Sequence, residues 1–546
     1  MRSPFPGGIP AIDLAILLLY LAAVLWIGLR AGKRPKTVEQ FALGGHQIPW
    51  WAVLGSLIAA ETSAAFFLGT PTEGYALGNY EYLQLALGTV LARVLVAYLF
   101  VKPYFTYRVT SIYQFLALRF GPKTKSAASA TFLLTRLLAS GARLYVAVIL
   151  PVLAVKLLWG RPISSGQELW IYAATALLLT LFTTIYTVAG GIRAVIWTDL
   201  LQASLMLSGG ILTLLLLFHR IPWTSSSPLA EAAHLLAALP WAKTGVNPQK
   251  DLWENLGAVL SSDYTIWAAL IGSTFTTMAT HGADQDLVQR LLTAKNYHRS
   301  RLSLILSGLS DVPLVFLFLT IGIFLGLLAR STHDPHLPSQ ANEVFPYFIL
   351  CQTPSGIRGL LLAAIFATAM GSLSAALNAL ATSFCEDWAF RFLPTASDQK
   401  SRVRLLRGST VLFALLSIAI ACATAFFALH SPRLRILPIV LGLFGYTYGP
   451  LLGVFLLGVL TRSRGNDFGN CIAMACGLAV VTILSGVPQA VLGIFSPGAG
   501  ARLPWLPCIS FPWRVFVGSC ATFLVGLCFR SSTQPYSAAE AAKSSF

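Results

Sequence analysis

GSLIAAETSAAFFLG, residues 55–69, sets one carboxylate, Glu61, and two hydroxyls, Thr62 and Ser63, inside a run of Ala, Leu, Phe and Gly. Small residues flank them (Gly55, Ala59, Ala60, Ala64, Ala65), and Gly69 and Pro71 follow. Such a helix can be interrupted, which frees backbone carbonyls to coordinate a small cation, and broken helices of this kind mark the midplane site of many transporters. The competing reading of the same stretch is helix–helix packing through small residues.

The whole chain shares the character of this segment. Of 546 residues, 56% are hydrophobic and only 11% charged, with a mean hydropathy of +0.70. Soluble domains run near a quarter charged, and charge becomes this scarce when most of a chain sits in hydrocarbon. The sequence is therefore that of an all-α integral membrane protein. Its net charge of +17 concentrates in short loops between apolar runs, and no basic stretch interleaves with aromatics as a nucleic-acid module would. Most cysteines lie inside apolar runs as small hydrophobes. Cys351 and Cys508 fall in predicted external loops, but their spacing gives no support for a disulfide.

A span needs about 20 mostly apolar residues. Such runs lie near 11–29, 48–70, 80–102, 126–155, 168–188, 195–219, 261–283, 302–329, 358–383, 406–429, 436–461, 467–495 and 513–529, about 13 by this count. Arg30, Lys33, Arg34 and Lys36 follow the first run, with only Arg2 before it, which places the N terminus outside. An odd number of spans then places the C terminus in the cytoplasm. Segments assigned to the cytoplasm by this alternation are the richer in Lys and Arg, among them Arg290, Lys295, Arg299 and Arg301 and then Lys400, Arg402 and Arg404. The external loop 220–260 contains Leu229, Leu235, Leu236 and Leu239 at spacings that suggest a short amphipathic helix. The tail 530–546, rich in Ser and Ala, has the composition of a disordered segment.

Polar groups inside apolar runs face a bundle interior or a water-filled path, and by default mark an ion or solute pathway. Besides Glu61, they include Glu81, Gln84, Asp199, His281, Asp284 and Asp311, and in the ninth run Thr368, Ser372, Ser374 and Asn378. Thr368 and Ser372 are four apart and share a helix face. Carbonyls from one helix and hydroxyls from another form a hard-oxygen donor set suited to a small hard cation. The alternative for each residue alone is a structural hydrogen bond between helices. No Walker loop or HExxH zinc motif appears, and no nucleophile, base and orienter set points to an enzyme.

Several stretches in order now give the chain a likeness: SLIAAETSA (56–64), TSIYQFLALRFG (110–121), YTVAGGIRAVIWTDLLQ (186–202), DQDLVQRLLTAKN (284–296), GSLSAALNALAT (371–382) and GPLLGVFLLG (449–458). Together they resemble the sodium/solute symporter family, which includes sodium–glucose, proline and iodide cotransporters. The resemblance runs from about residue 11 to 465. It implies two inverted five-helix repeats, 48–219 and 261–461, with 11–29 as an extra helix before them and 467–529 as helices after them. It further implies symport of a small organic solute by alternating access in a bacterial inner membrane, with sodium as coupling ion and no organic cofactor.

The family's sodium ligands carry over to the carbonyls of Ala59, Thr62 and Thr368 and the hydroxyl of Ser372. Gly371 stands where the family usually has a second Ser or Thr, which removes one hydroxyl. Asp199 matches an acidic position tied to cation coupling. Glu61 falls where sugar-transporting relatives carry Asn and proline-transporting relatives Asp; its carboxylate either adds charge beside the cation or binds a proton. Phe66, Thr280, His281 and Asp311 replace sugar-branch contact residues, and Glu81 and Gln84 align with a polar contact region. This pattern implies a solute other than a hexose, with an amine or several hydroxyls meeting Glu81 and Asp311; Asp311 in place of a Lys disfavours a simple anion such as iodide or a monocarboxylate, although Arg136 and Arg143 offer sites for an anionic group. A proton-coupled symporter, or a sensor or channel on the same scaffold, remains the alternative.

A green fluorescent reporter fused after Phe546 should fluoresce in cells, and a phosphatase reporter there should be inactive; the opposite pair of results would invert the topology.

Overall fold

The computed structural model describes residues 10–32, 35–159, 163–332, 334–338, 340–392, 398–430, 436–487 and 509–531, and the side chains of these except at 157–159 and 436–443. Cys508, Lys33, Arg34, the end of the predicted run 467–495 and most of the tail lie outside the described residues. Among the described residues the chain is helical, and its only β pairing is two isolated bridges, Ile48 with Ala294 and Arg464 with Arg530. A helix satisfies its own backbone hydrogen bonds, which hydrocarbon cannot do for it. Eight described helices are long and apolar enough to cross a membrane, or nine if one bent pair counts as a span.

The bent pair is the stretch that opened the sequence reading. Helix Trp50–Glu61 and helix Ala64–Leu77 meet at 61°. Between them Thr62 (φ −82°, ψ 72°) and Ser63 (φ −74°, ψ 170°) leave the helical region. The second half runs past the predicted end at 70 to Leu77, although Pro71 lies inside it. A proline inside a helix leaves the carbonyl four residues back without its helical donor, and membrane helices tolerate this where neighbouring groups can satisfy that carbonyl.

Ser165–Arg220 also changes direction, at Gly191 (φ 58°, ψ −151°). Only glycine takes this conformation readily, and a Cβ there would lie 2.4 Å from the Phe41 carbonyl oxygen. The predicted runs 168–188 and 195–219 fall on either side of this bend.

Burial separates centre from rim. The most apolar stretch of Ile357–Phe392 is 94% buried, whereas that of Ala11–Ala31 is 28% buried. The central helix Ile357–Phe384 packs on Ser165–Arg220 and on both halves of the broken helix. Close approach recurs where Ala64–Leu77 meets Tyr297–Thr332: a Cβ on Gly322 would sit 2.0 Å from the Pro71 carbonyl oxygen. Small residues let helix backbones meet in this way, and dispersion then holds them in a solvent that provides no hydrophobic drive.

The loop 220–260 carries two helices, Pro228–Ala238 and Leu252–Ser261. Leu236 and Leu239 pack against the apolar core, while Leu229 is 74% exposed. Trp241 stacks on Tyr80 at 4.4 Å between ring centroids, and the Tyr80 amide donates to the Pro240 carbonyl (2.9 Å). These contacts pin the loop to the start of helix Glu81–Thr106.

Gly322→Ala should lower the thermal midpoint in detergent, at a cost of about 1–3 kcal/mol from overpacking. Gly69→Ala, where an added methyl meets nothing within 4 Å, should leave it unchanged or higher. Equal midpoints for the two variants would contradict this packing.

Candidate functional site

The break decides where the site lies. At Thr62 the helix closes with its amide on the Ile58 carbonyl (3.1 Å), and its hydroxyl donates to the same oxygen (2.6 Å). The Ser63 amide turns back to Glu61, and those of Phe66 and Phe67 donate to Ser63. No backbone amide among the described residues donates to the carbonyls of Ala59, Ala60 or Thr62, although the Thr62 hydroxyl also reaches the Ala59 oxygen at 3.5 Å. A carbonyl released inside a membrane protein must find another partner. On the central helix, which packs on both halves of the broken helix, Thr368 and Ser372 donate their hydroxyls to Ile365 (2.9 Å) and Ala369 (3.1 Å) of their own helix, which leaves oxygen lone pairs open. The donor set is all hard oxygen, the chemistry of a small cation rather than a soft metal.

Beside the break is a cavity of about 360 Å³. Glu61, Thr62, Phe66, Thr280, His281 and Asp311 line it, so these sequence-predicted residues from three separate stretches meet there. Arg93, Arg136, Arg143 and Tyr82 line it too. The charges form one cluster. Arg93, 2% exposed, binds Glu61 and also Asp311, the latter at 2.7 Å. Glu61 Oε1 lies 2.7 Å from His281 Nε2, and His281 Nδ1 lies 2.9 Å from the Thr280 hydroxyl. Thr89 donates to Asp311 (3.1 Å). Both carboxylates are thus already engaged by protein.

The cavity's other two guanidinium groups differ. Arg136 pairs with Asp286 and, at 3.2 Å, with Asp284. No carboxylate among the described residues forms an ion pair with Arg143, whose guanidinium sits 5.2 Å from the Phe444 ring centroid. Arg143 is the cationic group of this cavity left for a ligand.

Asp199 sits away from this cavity in a second buried network. Its Oδ2 accepts from Ser56 (2.5 Å) and Arg290 (3.2 Å), and Arg290 also holds Asp286 (2.5 Å). Asp199 Oδ1 and both polar atoms of Gln202 are buried with no hydrogen-bond partner of good geometry. They adjoin Gly371: a Cβ there would lie 2.6 Å from Gln202 Oε1 and 3.5 Å from Asp199 Oδ1.

Glu81 and Gln84 do not line the cavity; Gln84 turns back to donate to the Glu81 carbonyl (3.0 Å). Sequence reasoning missed Arg93, Tyr82 and Gln202. Arg93 carried a signal, since a lone Arg in the apolar run 80–102 needs a buried partner. Gln202 carried none beyond lying three residues from Asp199.

A model of the Sodium:solute symporter family matches residues 41–477. The chain is 26% identical over 521 residues to the sodium/sialic acid symporter SiaT of Proteus mirabilis, covering 94% of each chain. It is 28% identical over 459 residues to the human sodium-coupled monocarboxylate transporter 1, covering 82% of this chain and 68% of that one. Among solved structures, the substrate-bound, outward-open state of a Na+-coupled sialic acid symporter superposes with a TM-score of 0.75 at 23% identity, covering 95% of this chain and 97% of the other. That likeness establishes a shared helical fold.

Arg93→Met strands two buried carboxylates and should cost roughly 3–5 kcal/mol. Adding Glu61→Gln and Asp311→Asn to it should recover most of that loss in a denaturation midpoint; a triple variant no more stable than Arg93→Met would dissolve the cluster as described.

Proposed function

We propose, from the premise that the chain belongs to the Sodium:solute symporter family, that it couples sodium entry to uptake of a small organic solute bearing a carboxylate. The observation that carries the solute class is a cavity guanidinium, Arg143, that no carboxylate among the described residues pairs. Glu61 and Asp311 share Arg93, while Arg143 has no carboxylate of its own. Asp311 read from sequence alone disfavours a simple anion; Arg93 engages that carboxylate, so an anionic group would meet Arg143 rather than Asp311. The named cargoes of the relatives, sialic acid and monocarboxylates, are both carboxylic acids. Thr276, Thr280 and Tyr82 offer hydroxyls for the remainder of the solute.

Sodium would sit at the break, on the carbonyls of Ala59, Thr62 and Thr368 and the hydroxyl of Ser372. Gly371 supplies no side-chain oxygen. Asp199 would act along the cation's path, and Glu61 would set the charge between the cation and solute sites. About 13 spans, arranged as inverted repeats over 48–219 and 261–461 with the N terminus outside, would rock around this centre. Coupling is linkage: cation and solute favour each other's binding by the same factor. The membrane potential adds about 2.3 kcal/mol per charge per 100 mV. Proton coupling through Glu61 and His281 is the second reading, favoured by their 2.7 Å contact.

Proteoliposomes loaded without sodium should accumulate a labelled carboxylate when an inward sodium gradient is imposed, and Arg143→Gln should raise the solute concentration for half-maximal uptake by tenfold or more. Uptake driven by protons alone would transfer the coupling to Glu61, and uptake indifferent to both gradients would refute symport. Gly371→Ser restores a hydroxyl at the cost of displacing the Gln202 amide; the sodium concentration for half-maximal uptake should fall. No change in that concentration would remove position 371 from the cation site.

A further inference from the structure

Away from the central site, a second cavity of about 670 Å³ opens between three helices. Its lining is wholly apolar. Leu133, Leu134 and Leu137 come from Pro122–Trp159, Phe384, Trp388 and Phe392 from the end of the central helix, and Leu412, Phe413 and Leu416 from Gln399–His430. Phe384, Trp388 and Phe392 follow one another at four-residue spacing and so form an aromatic edge along one face. Leu134 (61% exposed) and Phe392 (65% exposed) open the groove towards the bilayer side. The Trp388 indole N–H donates to the Ser129 hydroxyl (3.2 Å).

One end of the groove is basic. Arg391 is exposed, and its guanidinium sits 5.7 Å from the ring centroid of the lining residue Phe392. Exposed Lys400 and Arg404 begin the helix that carries Leu412 and Leu416. Cations in the first turns of a helix oppose its dipole, so these charges do not serve the helix itself. Lys125 nearby is already neutralised by Asp387 (3.1 Å). Asp398 offsets Arg404, but among the described residues Arg391 and Lys400 form no ion pair with a carboxylate; an apolar slot ending in such cations matches one molecule class: an acyl chain joined to an anionic headgroup. We propose that this groove is a binding site for an anionic phospholipid, its chain along Leu134, Phe392 and Leu416 and its phosphate at Arg391 and Lys400. The site is independent of the solute and sodium readings above.

Native mass spectrometry of the delipidated full-length protein, with phosphatidylglycerol or phosphatidylcholine of equal chain length added back, tests this. Phosphatidylglycerol should be retained in preference, and Arg391→Gln should reduce that preference about fivefold, with Lys400→Gln acting alike. Leu412→Trp, which fills the slot, should weaken retention of both lipids, as a chain site requires. Equal retention of the two lipids, an unchanged preference in Arg391→Gln and Lys400→Gln, or a second copy of the chain in place of lipid would each overturn the proposal. Solute uptake in Arg391→Gln liposomes reports separately on the transport reading.

Discussion

Carbonyls released where a helix breaks inside a membrane have no water to turn to, and this constraint organises the molecule. At Thr62 and Ser63 the chain leaves the helix, bends by 61° and frees oxygens of Ala59 and Thr62. Each such group costs several kcal/mol unless another partner is found. The fold answers by surrounding the break with its most buried helix, Ile357–Phe384, whose small residues and hydroxyls come close without filling the space. Tight contacts at Gly322 and the bend at Gly191 hold the neighbouring helices in register around it. Under the proposed function, a cation bound among these oxygens would turn a backbone liability into the coupling device.

The same economy governs charge. Arg93, Glu61, Asp311 and His281 form one buried cluster, and Arg290, Asp199, Asp286 and Arg136 form another. Buried pairs of this sort add little net stability over an apolar replacement, yet breaking one is expensive. They are better understood as position holders: Arg93 ties the broken helix to Tyr297–Thr332, and Arg290 ties Asp199 to helix Gln285–Leu292. Any rocking of one helix group against another must keep or exchange these pairs, which makes them sensitive to what occupies the site between them.

The break was legible in the sequence, because small residues around a polar triplet have few other uses in an apolar run. So were the membrane class and eight of the cavity's lining residues, Arg136 and Arg143 among them. The partnerships were not. Arg93 and Asp311 lie 218 positions apart, and nothing local to either announces the other. Asp311 alone therefore read as a solute contact, when its pairing with Arg93 changes the solute it would admit. Glu81 and Gln84 aligned with a contact region, yet Gln84 spends its amide on the Glu81 carbonyl, a local bond that spacing does not reveal. Gly371 was visible as a missing hydroxyl, whereas the Gln202 amide against it emerges only from the packing of two distant helices.

The central claim is that a sodium ion completes the broken helix. Equilibrium binding of radioactive sodium to purified protein in choline chloride measures this directly, without solute or transport. Saturable binding should be present in the wild type and weakened at least tenfold in Ser372→Ala, with the folded fraction unchanged by circular dichroism. Sodium binding of equal affinity in Ser372→Ala, or none in the wild type, would contradict the account.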